Sequence, residues 1–384
     1  MKESEKKENV LIISPFFRPN IGGVETHLDD LCEYLRKHGH KVFVITYQPL
    51  TTKAKGPKLE RKENLEIRRI QWFGYNWFHK LESYPILEWL YLSPGLFLYS
   101  LIFLSRNMKQ IDVIHAHGFV SSFITKILSK FFKKRSVMST HAIYHLENRP
   151  LFAKIIKWML SSFDVILALA ERSKKDLIGA GLPENRIKIY TQWVDQNRFK
   201  PINHDECRKE LGLNHNFIVL FIGRLIEKKG IKVLLKAASL VNSNVKFVVI
   251  GDGPLATDVK AIASKQENII FSGKVSGEDV VKYYNIANIF IIPSQYEEGF
   301  ARVNLEALSC GTPILAANRG CLPEIVDSSV GVLIDPAVEN IAQKIEHLYT
   351  HPDKLKELTS NCRPYAEQHF SERNASSIEN AYKT

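Results

Sequence analysis

Paired cysteines are missing from this chain, and so are clustered metal ligands. Five cysteines (Cys32, Cys207, Cys310, Cys321, Cys362) lie scattered through 384 residues, odd in number and without a Cys-x-x-Cys pair. That spacing argues against a disulfide framework and a zinc knuckle, and a reducing compartment fits it best. No Asp-x-Asp triplet occurs, and no His and carboxylates cluster at metal-ligand spacing, so no metal is expected. The N-terminus, MKESEKKEN, has no apolar core; it reads as a mobile tail rather than a secretory leader. No repeat of solenoid period and no low-complexity segment is present. The longest apolar stretch, PILEWLYLSPGLFLYSLIFL from Pro85 to Leu104, is interrupted by Glu88 and by Ser93–Pro94–Gly95. Its uninterrupted part is too short to cross a bilayer and reads as a buried helix.

Charge of one sign is present in excess, and unevenly. Residues 1–197 hold 30 Lys+Arg against 19 Asp+Glu, whereas residues 198–384 hold 22 against 22. A basic half suits an anionic membrane surface or a nucleic acid. No aromatic-basic RNA motif and no helix-turn-helix pattern accompanies it, so no nucleic-acid partner is expected. Residues 119–135, FVSSFITKILSKFFKKR, place Ile124, Ile127, Leu128 and Phe131 on one helical face and end in Lys133, Lys134 and Arg135. This pattern fits a helix lying on an anionic membrane as well as one packed on a sheet.

Short apolar runs alternate with helical patterns throughout. VLIIS, KVFVITY, DVIHAH, SVMSTH, DVILALA and IKIYTQ read as strands in the first half; FIVLFIGRL, KFVVIGDG, IIFSGK, NIFIIPS and PILAAN in the second. Between the first two, Val24, Leu28, Leu31 and Leu35 recur at helical spacing before Gly39. The alternation predicts an α/β chain of two doubly wound parallel sheets in tandem. The expected domains are residues 1–197 and 198–370, with the terminal helix, residues 371–384, crossing back onto the first. A cleft between the domains would hold the active site.

The densest chemistry lies in residues 293–314, PSQYEEGFARVNLEALSCGTPI. Glu298 sits in the loop after a strand, and Glu306 one to two turns into the next helix. Ligands bind at that edge of an open α/β sheet. The amides of Phe300, Ala301 and Arg302 would open the helix and point at an anion. Carboxylates accept from sugar hydroxyls and helix-start amides donate to phosphate, so a phosphorylated sugar suits the segment.

This segment resembles the retaining glycosyltransferases of glycosyltransferase family 4, whose signature pairs two glutamates ahead of a small-Cys-Gly-Thr-Pro run. The resemblance continues, in the family's order, at Gly22–Gly23–Val24–Glu25, His115–Ala116–His117, Thr140–His141, Gly223–Gly230, Gly251–Pro254 and Gly320–Glu324. It implies two Rossmann-like domains of the GT-B class and a metal-independent enzyme that moves a hexose from a UDP- or GDP-sugar to a hydroxyl acceptor. The acceptor would be a saccharide, lipid-linked in cell-envelope glycan synthesis, and the enzyme cytoplasmic, with peripheral contact to the inner face of an anionic membrane through its basic N-terminal half.

The resemblance also assigns roles. Arg224 and Lys229 would grip the donor diphosphate, with Lys228 a solvated neighbour. Glu298, with Gly299, Phe300 and Ala301, would meet the donor sugar and phosphate, and Glu306 the ribose. His141 would touch the sugar near the reacting carbon, and Gly22 and Gly23 would let the backbone approach the ligand. His115 and His117 are expected to alternate faces, with His117 nearer the cleft, and Glu25 and His27 to face acceptor or solvent. The chain departs from the pattern at Trp193, where relatives carry a glycine near the hinge, and at Ala301 and Cys321, which also replace glycine. Two rival readings are a non-catalytic sugar-nucleotide-binding partner subunit and a sugar-nucleotide epimerase on the same fold.

Overall fold

The computed structural model describes residues 7–20, 22–74, 77–81, 84–213, 217–275, 277 and 279–383; most of the charged N-terminal tail lies outside them. Contacts divide the chain into two compact units. The first runs to Gln192 and includes the residues from Arg373 onward; the second is Trp193–Glu372.

The first unit holds strands β1 (Asn9–Ile13), β2 (Lys41–Tyr47), β3 (Leu59–Lys62), β4 (Leu65–Ile70), β5 (Val113–His117), β6 (Arg135–Ser139), β7 (Val165–Ala168) and β8 (Ile187–Ile189). They form one sheet in the order β3-β4-β2-β1-β5-β6-β7-β8, parallel apart from the β3–β4 pair. Strands β3 and β4 were not expected; three of the four residues of LERK are charged, as suits a short edge strand. Central strands β1 and β5 are almost wholly buried on both faces, which explains the unbroken apolar run Val10–Ile13 of β1.

The helices Pro85–Asn107, Phe119–Phe132 and Pro150–Leu160 lie side by side on one face of this sheet. On β5, Ile114 and Ala116 point toward them. His115 points the other way, to Tyr382 of the helix Ala375–Lys383, which neighbours Gly23–Lys37.

Two expectations fail here. The apolar stretch is not broken at Ser93–Pro94–Gly95: one helix runs through from Pro85 to Asn107. Tyr47 repairs the interruption, its hydroxyl donating to the Leu92 carbonyl (2.7 Å) and accepting from the Leu96 amide (2.8 Å). Proline leaves the carbonyl four residues back without its helical donor, and that residue, Leu90, lies on the exposed side. Nor is the helix fully buried. Tyr91, Leu92, Leu96, Phe103 and Leu104 pack on the sheet, while Leu87, Leu90, Leu98 and Ile102 face out.

The second unit holds β9 (Phe217–Ile222), β10 (Val245–Ile250), β11 (Ile269–Gly273), β12 (Ile289–Ile292), β13 (Ile314–Ala317) and β14 (Gly331–Ile334). Their order, β11-β10-β9-β12-β13-β14, is a doubly wound parallel sheet whose winding reverses between β9 and β12. Strand β14 was not foreseen. Phe217, Val219 and Phe221 of β9 and Val245, Phe247 and Val249 of β10 form its core with the flanking helices.

Candidate active site

The loops after β9 and β12 meet where the winding of the second sheet reverses, the place where open α/β sheets take ligands. Two glycines make the meeting close. A Cβ on Gly230, which has φ +75°, would stand 1.9 Å from the Pro293 carbonyl oxygen, and one on Gly320, φ +62°, 2.2 Å from that of Glu298. Without a side chain at Gly230 the β9 loop lies on the β12 loop, and without one at Gly320 the loop after β13 does so too; Lys229 reaches Glu298 with Nζ 2.6 Å from Oε1.

Glu298 is held in place by its own surroundings, with acceptor capacity left on Oε2. Oε1 also accepts from Ser294 Oγ (2.5 Å) and Oε2 from the Tyr296 hydroxyl (2.8 Å), and the Tyr296 ring lies 5.5 Å from the Lys229 ammonium. The Glu298 carbonyl accepts from the Cys321 amide, and Glu297 Oε2 from the Gly320 amide at 2.7 Å. A buried carboxylate held by an ammonium and two hydroxyls is a rigid anion. An ammonium has three donors, so Lys229 keeps donor capacity beyond Glu298. Arg224 is exposed at the end of β9, and Lys228 is exposed as expected.

Glu306 stands in the helix Val303–Ser309. Burial pushes its carboxyl pKa up against the opposing charge of Arg302. The Tyr284 hydroxyl donates to it at 2.8 Å and Arg302 Nε at 3.3 Å, and Arg302 Nη1 donates to the Trp193 carbonyl at 2.9 Å. Trp193, the departure from the family pattern, is thus a buried anchor at the start of the second unit. Ala301 has φ +43°, in the left-handed region that glycine occupies freely and alanine does not. The departure from glycine is therefore a strained one. Phe300 is buried against Phe370, and Cys321 is fully buried.

In the first unit the winding reverses between β1 and β5, and the residues gathered there are imidazoles. His115 and His117 do not alternate faces: their ring centroids are 4.1 Å apart, because residues two apart on a strand share a face. His117 Nδ1 lies 3.0 Å from His141 Nε2, and His141 Nδ1 3.3 Å from the Tyr190 oxygen. The hydroxyl proton of Tyr190 is directed to the Thr140 carbonyl at 2.7 Å. His141 Nδ1 must then be the donor to Tyr190, its Nε2 the acceptor, and His117 Nδ1–H the donor. Burial lowers the His141 pKa to about 4 and that of His115 to about 3, the latter also through His141. Burial and three neighbouring imidazoles hold His117 well below the ordinary value. These imidazoles are neutral at physiological pH. His27 does not face solvent: it is fully buried against Tyr190 and His141.

Gly22 precedes the helix Gly23–Lys37. A Cβ there would fall 2.3 Å from Glu25 Oε2, whereas one on Gly23 would meet nothing within 4 Å. Glu25 folds back over Gly22 and accepts from its own amide, its pKa raised by burial.

The sequence reading missed the groups that hold the expected residues: Ser294 and Tyr296 on Glu298, Tyr284 on Glu306, Tyr190 on His141. Ser294 and Tyr296 lie in the same loop as Glu298 and were open to notice. Tyr284 and Tyr190 are remote in sequence and carry no local signal.

Two Rossmann-like units of this kind define the GT-B class of α/β proteins, and solved structures agree. Sucrose-phosphate synthase from Thermosynechococcus elongatus matches with a TM-score of 0.81 at 20% identity, covering 98% of each chain. Anabaena HepE in complex with UDP-glucose matches with a TM-score of 0.77 at 20% identity, also covering 98% of each. The phosphatidylinositol N-acetylglucosaminyltransferase GPI3 subunit of Saccharomyces cerevisiae is 24% identical over 340 residues, 84% of this chain and 71% of that protein. The model of Glycosyltransferase Family 4 matches residues 21–198, and that of Glycosyl transferases group 1 residues 203–369. The chain belongs to glycosyltransferase family 4. It is an enzyme of the glycosyltransferase type.

Proposed function

We propose that this glycosyltransferase moves a hexose from a UDP- or GDP-sugar to a hydroxyl of a lipid-linked saccharide on the cytoplasmic side of a membrane, with retention and without a metal. The observation that carries the reading is the Lys229–Glu298 pair where the winding of the second sheet reverses, with exposed Arg224 in the same loop after β9 as Lys229. A departing diphosphate needs cations, and these two side chains supply them. Glu298, fixed by Lys229, Ser294 and Tyr296, orients the sugar, and Glu306 accepts from the ribose. HepE, with UDP-glucose bound, supports a nucleotide-sugar donor; the yeast relative, a phosphatidylinositol N-acetylglucosaminyltransferase subunit, supports a lipid-borne acceptor.

The bond between the anomeric carbon and the diphosphate oxygen breaks while the acceptor oxygen bonds to that carbon on the same face. The departing phosphate oxygen takes the acceptor's proton, so no protein carboxylate need act as nucleophile. His141, neutral, with Nε2 occupied by His117 and Nδ1 by Tyr190, serves as a fixed wall for the sugar rather than a proton donor.

The test is thermal stabilisation of the full chain against UDP-, GDP- and ADP-sugars, with and without EDTA. Binding raises the midpoint by mass action. A rise with one base that EDTA leaves unchanged is expected. A rise that EDTA abolishes overturns the metal-free donor site, and no rise with any sugar nucleotide overturns the donor assignment.

A further inference from the structure

We propose that the outer surface of the helices Pro85–Asn107, Phe119–Phe132 and Pro150–Leu160 is a docking face for a bilayer containing anionic lipid. It extends the lipid-linked acceptor reading to a particular surface, and it does not depend on the donor assignment. Three observations converge on it.

The first is exposure. Leu151, Ile155 and Trp158 are spaced as one stripe on their helix and are 76%, 56% and 57% exposed. Leu87, Leu90, Leu98 and Ile102 form a second stripe, each at least half exposed, and Phe131 stands between them at 73%. A folded protein leaves single apolar side chains in water; contiguous rows of them mark a surface with a partner. The helices are neighbours, linked by ring contacts from Trp89 to Phe123 (4.8 Å) and from Phe123 to Trp158 (6.4 Å).

The second is charge. Residues 85–160 contain ten Lys+Arg and only three Asp+Glu, so most of the chain's net +11 sits in these helices and their connections. Exposed Lys154 and Lys157 flank the Leu151–Trp158 stripe, and Lys126 lies 3.5 Å from the Trp158 ring centroid. Apolar side chains interleaved with lysines, and scarcely any acid, match a membrane carrying negative headgroups better than a protein surface or a second copy of this equally basic face.

The third is geometry. The 85–107 helix is apolar enough over residues 86–110 to cross a bilayer. However, Tyr91, Leu92, Leu96, Phe103 and Leu104 are held in the core of the first unit. Such a helix can only lie along the surface, outer stripe down. Ile124 and Leu128 of the 119–132 helix also pack inward; that helix contributes Phe131 and its lysines, not the whole apolar face its sequence suggested.

The experiment is co-sedimentation of the full chain with vesicles of phosphatidylcholine alone and of phosphatidylcholine mixed with phosphatidylglycerol. Binding to the anionic vesicles should be about tenfold or more stronger and should weaken in salt. Ile155→Asp with Trp158→Asp should remove it, and Lys154→Glu with Lys157→Glu should lower it about tenfold. Both variants should keep the parent's melting temperature and its sugar-nucleotide shift, which separates failure of the docking face from failure of the donor site. The proposal is overturned if the variants bind vesicles as the parent does, if neither vesicle binds, or if the parent is a dimer that Ile155→Asp with Trp158→Asp makes monomeric.

Discussion

The two sheets reverse their winding in the same way and furnish the reversal with opposite chemistry. In the second unit the point is ionic: Lys229 against Glu298, Arg302 against Glu306. In the first it is a stack of imidazoles held neutral by burial. A doubly wound sheet decides where a ligand can lie; the side chains at the loop ends decide what it is. Fixed charges suit a diphosphate, which is charged before and after reaction, whereas neutral rings suit sugar hydroxyls.

The comparison breaks most sharply at Lys229. Lys229→Ala should lower turnover by about 100- to 1000-fold, the usual effect of deleting a donor to a developing anion. Glu298 is then left buried without its cation, so Lys229→Arg serves as the folding control. Turnover within a fewfold of the parent's would refute the diphosphate role.

Acid should separate the units next. The imidazoles of the first unit have depressed pKa values, so the unfolded state binds more protons, and stability falls as pH drops below about 6.5 toward the folded values near 4 and 3. Glu379 adds a lower window. Burial would raise its pKa, but hydrogen bonds from His40 and Lys383 outweigh this and bring it to about 2. Its contribution is present above about pH 4.5 and lost as pH falls toward 2. Glu306, whose pKa burial raises, behaves oppositely: its protonated form is favoured in the fold, so acid relieves it. Amide exchange on lowering the pH to about 5 should lose protection in the first unit before the second, by tenfold or more. Simultaneous loss would count against the contrast.

A smaller effect probes the neutral side alone. His117→Ala removes the donor to His141 Nε2 and should lower kcat about tenfold, the rate equivalent of one hydrogen bond. KM for the sugar nucleotide should be little changed, since the proposed diphosphate and ribose contacts, Lys229 and Glu306, lie in the second unit. His117→Asn, which keeps a donor, should recover part of the loss.

The smallest lies at Ala301. Ala301→Gly releases a left-handed alanine and should stabilise the second unit by about 1 kcal/mol, read as a rise in denaturation midpoint. No rise would mean the φ is held without strain.

Much of this was legible in residue order. Buried parallel strands such as NVLII and FIVLFI announce themselves as unbroken apolar runs. Glu298 and Lys229 stood out because each closes a strand-loop motif, and loops at strand ends meet by topology. What escaped notice was support from a distance. Tyr47 bridges the Leu92 carbonyl and the Leu96 amide around Pro94, in a helix more than forty residues on. Trp193 accepts from Arg302 across the second unit. The His115–His117 error had a different cause: the strand period of two was misapplied, although the residues themselves carried the answer.

The helix Ala375–Lys383 has a consequence for how the chain is made. Tyr382 hydrogen-bonds His115 at 2.8 Å, and Glu379 meets both Tyr34 and His40, so the first unit is sealed by residues synthesised after the whole of 193–372. At ribosomal speed that interval is on the order of tens of seconds. For that time the nascent first unit exposes the buried faces of Tyr34, His40 and His115, the period in which a chaperone has its opening and a stalled ribosome leaves a protein without its last wall.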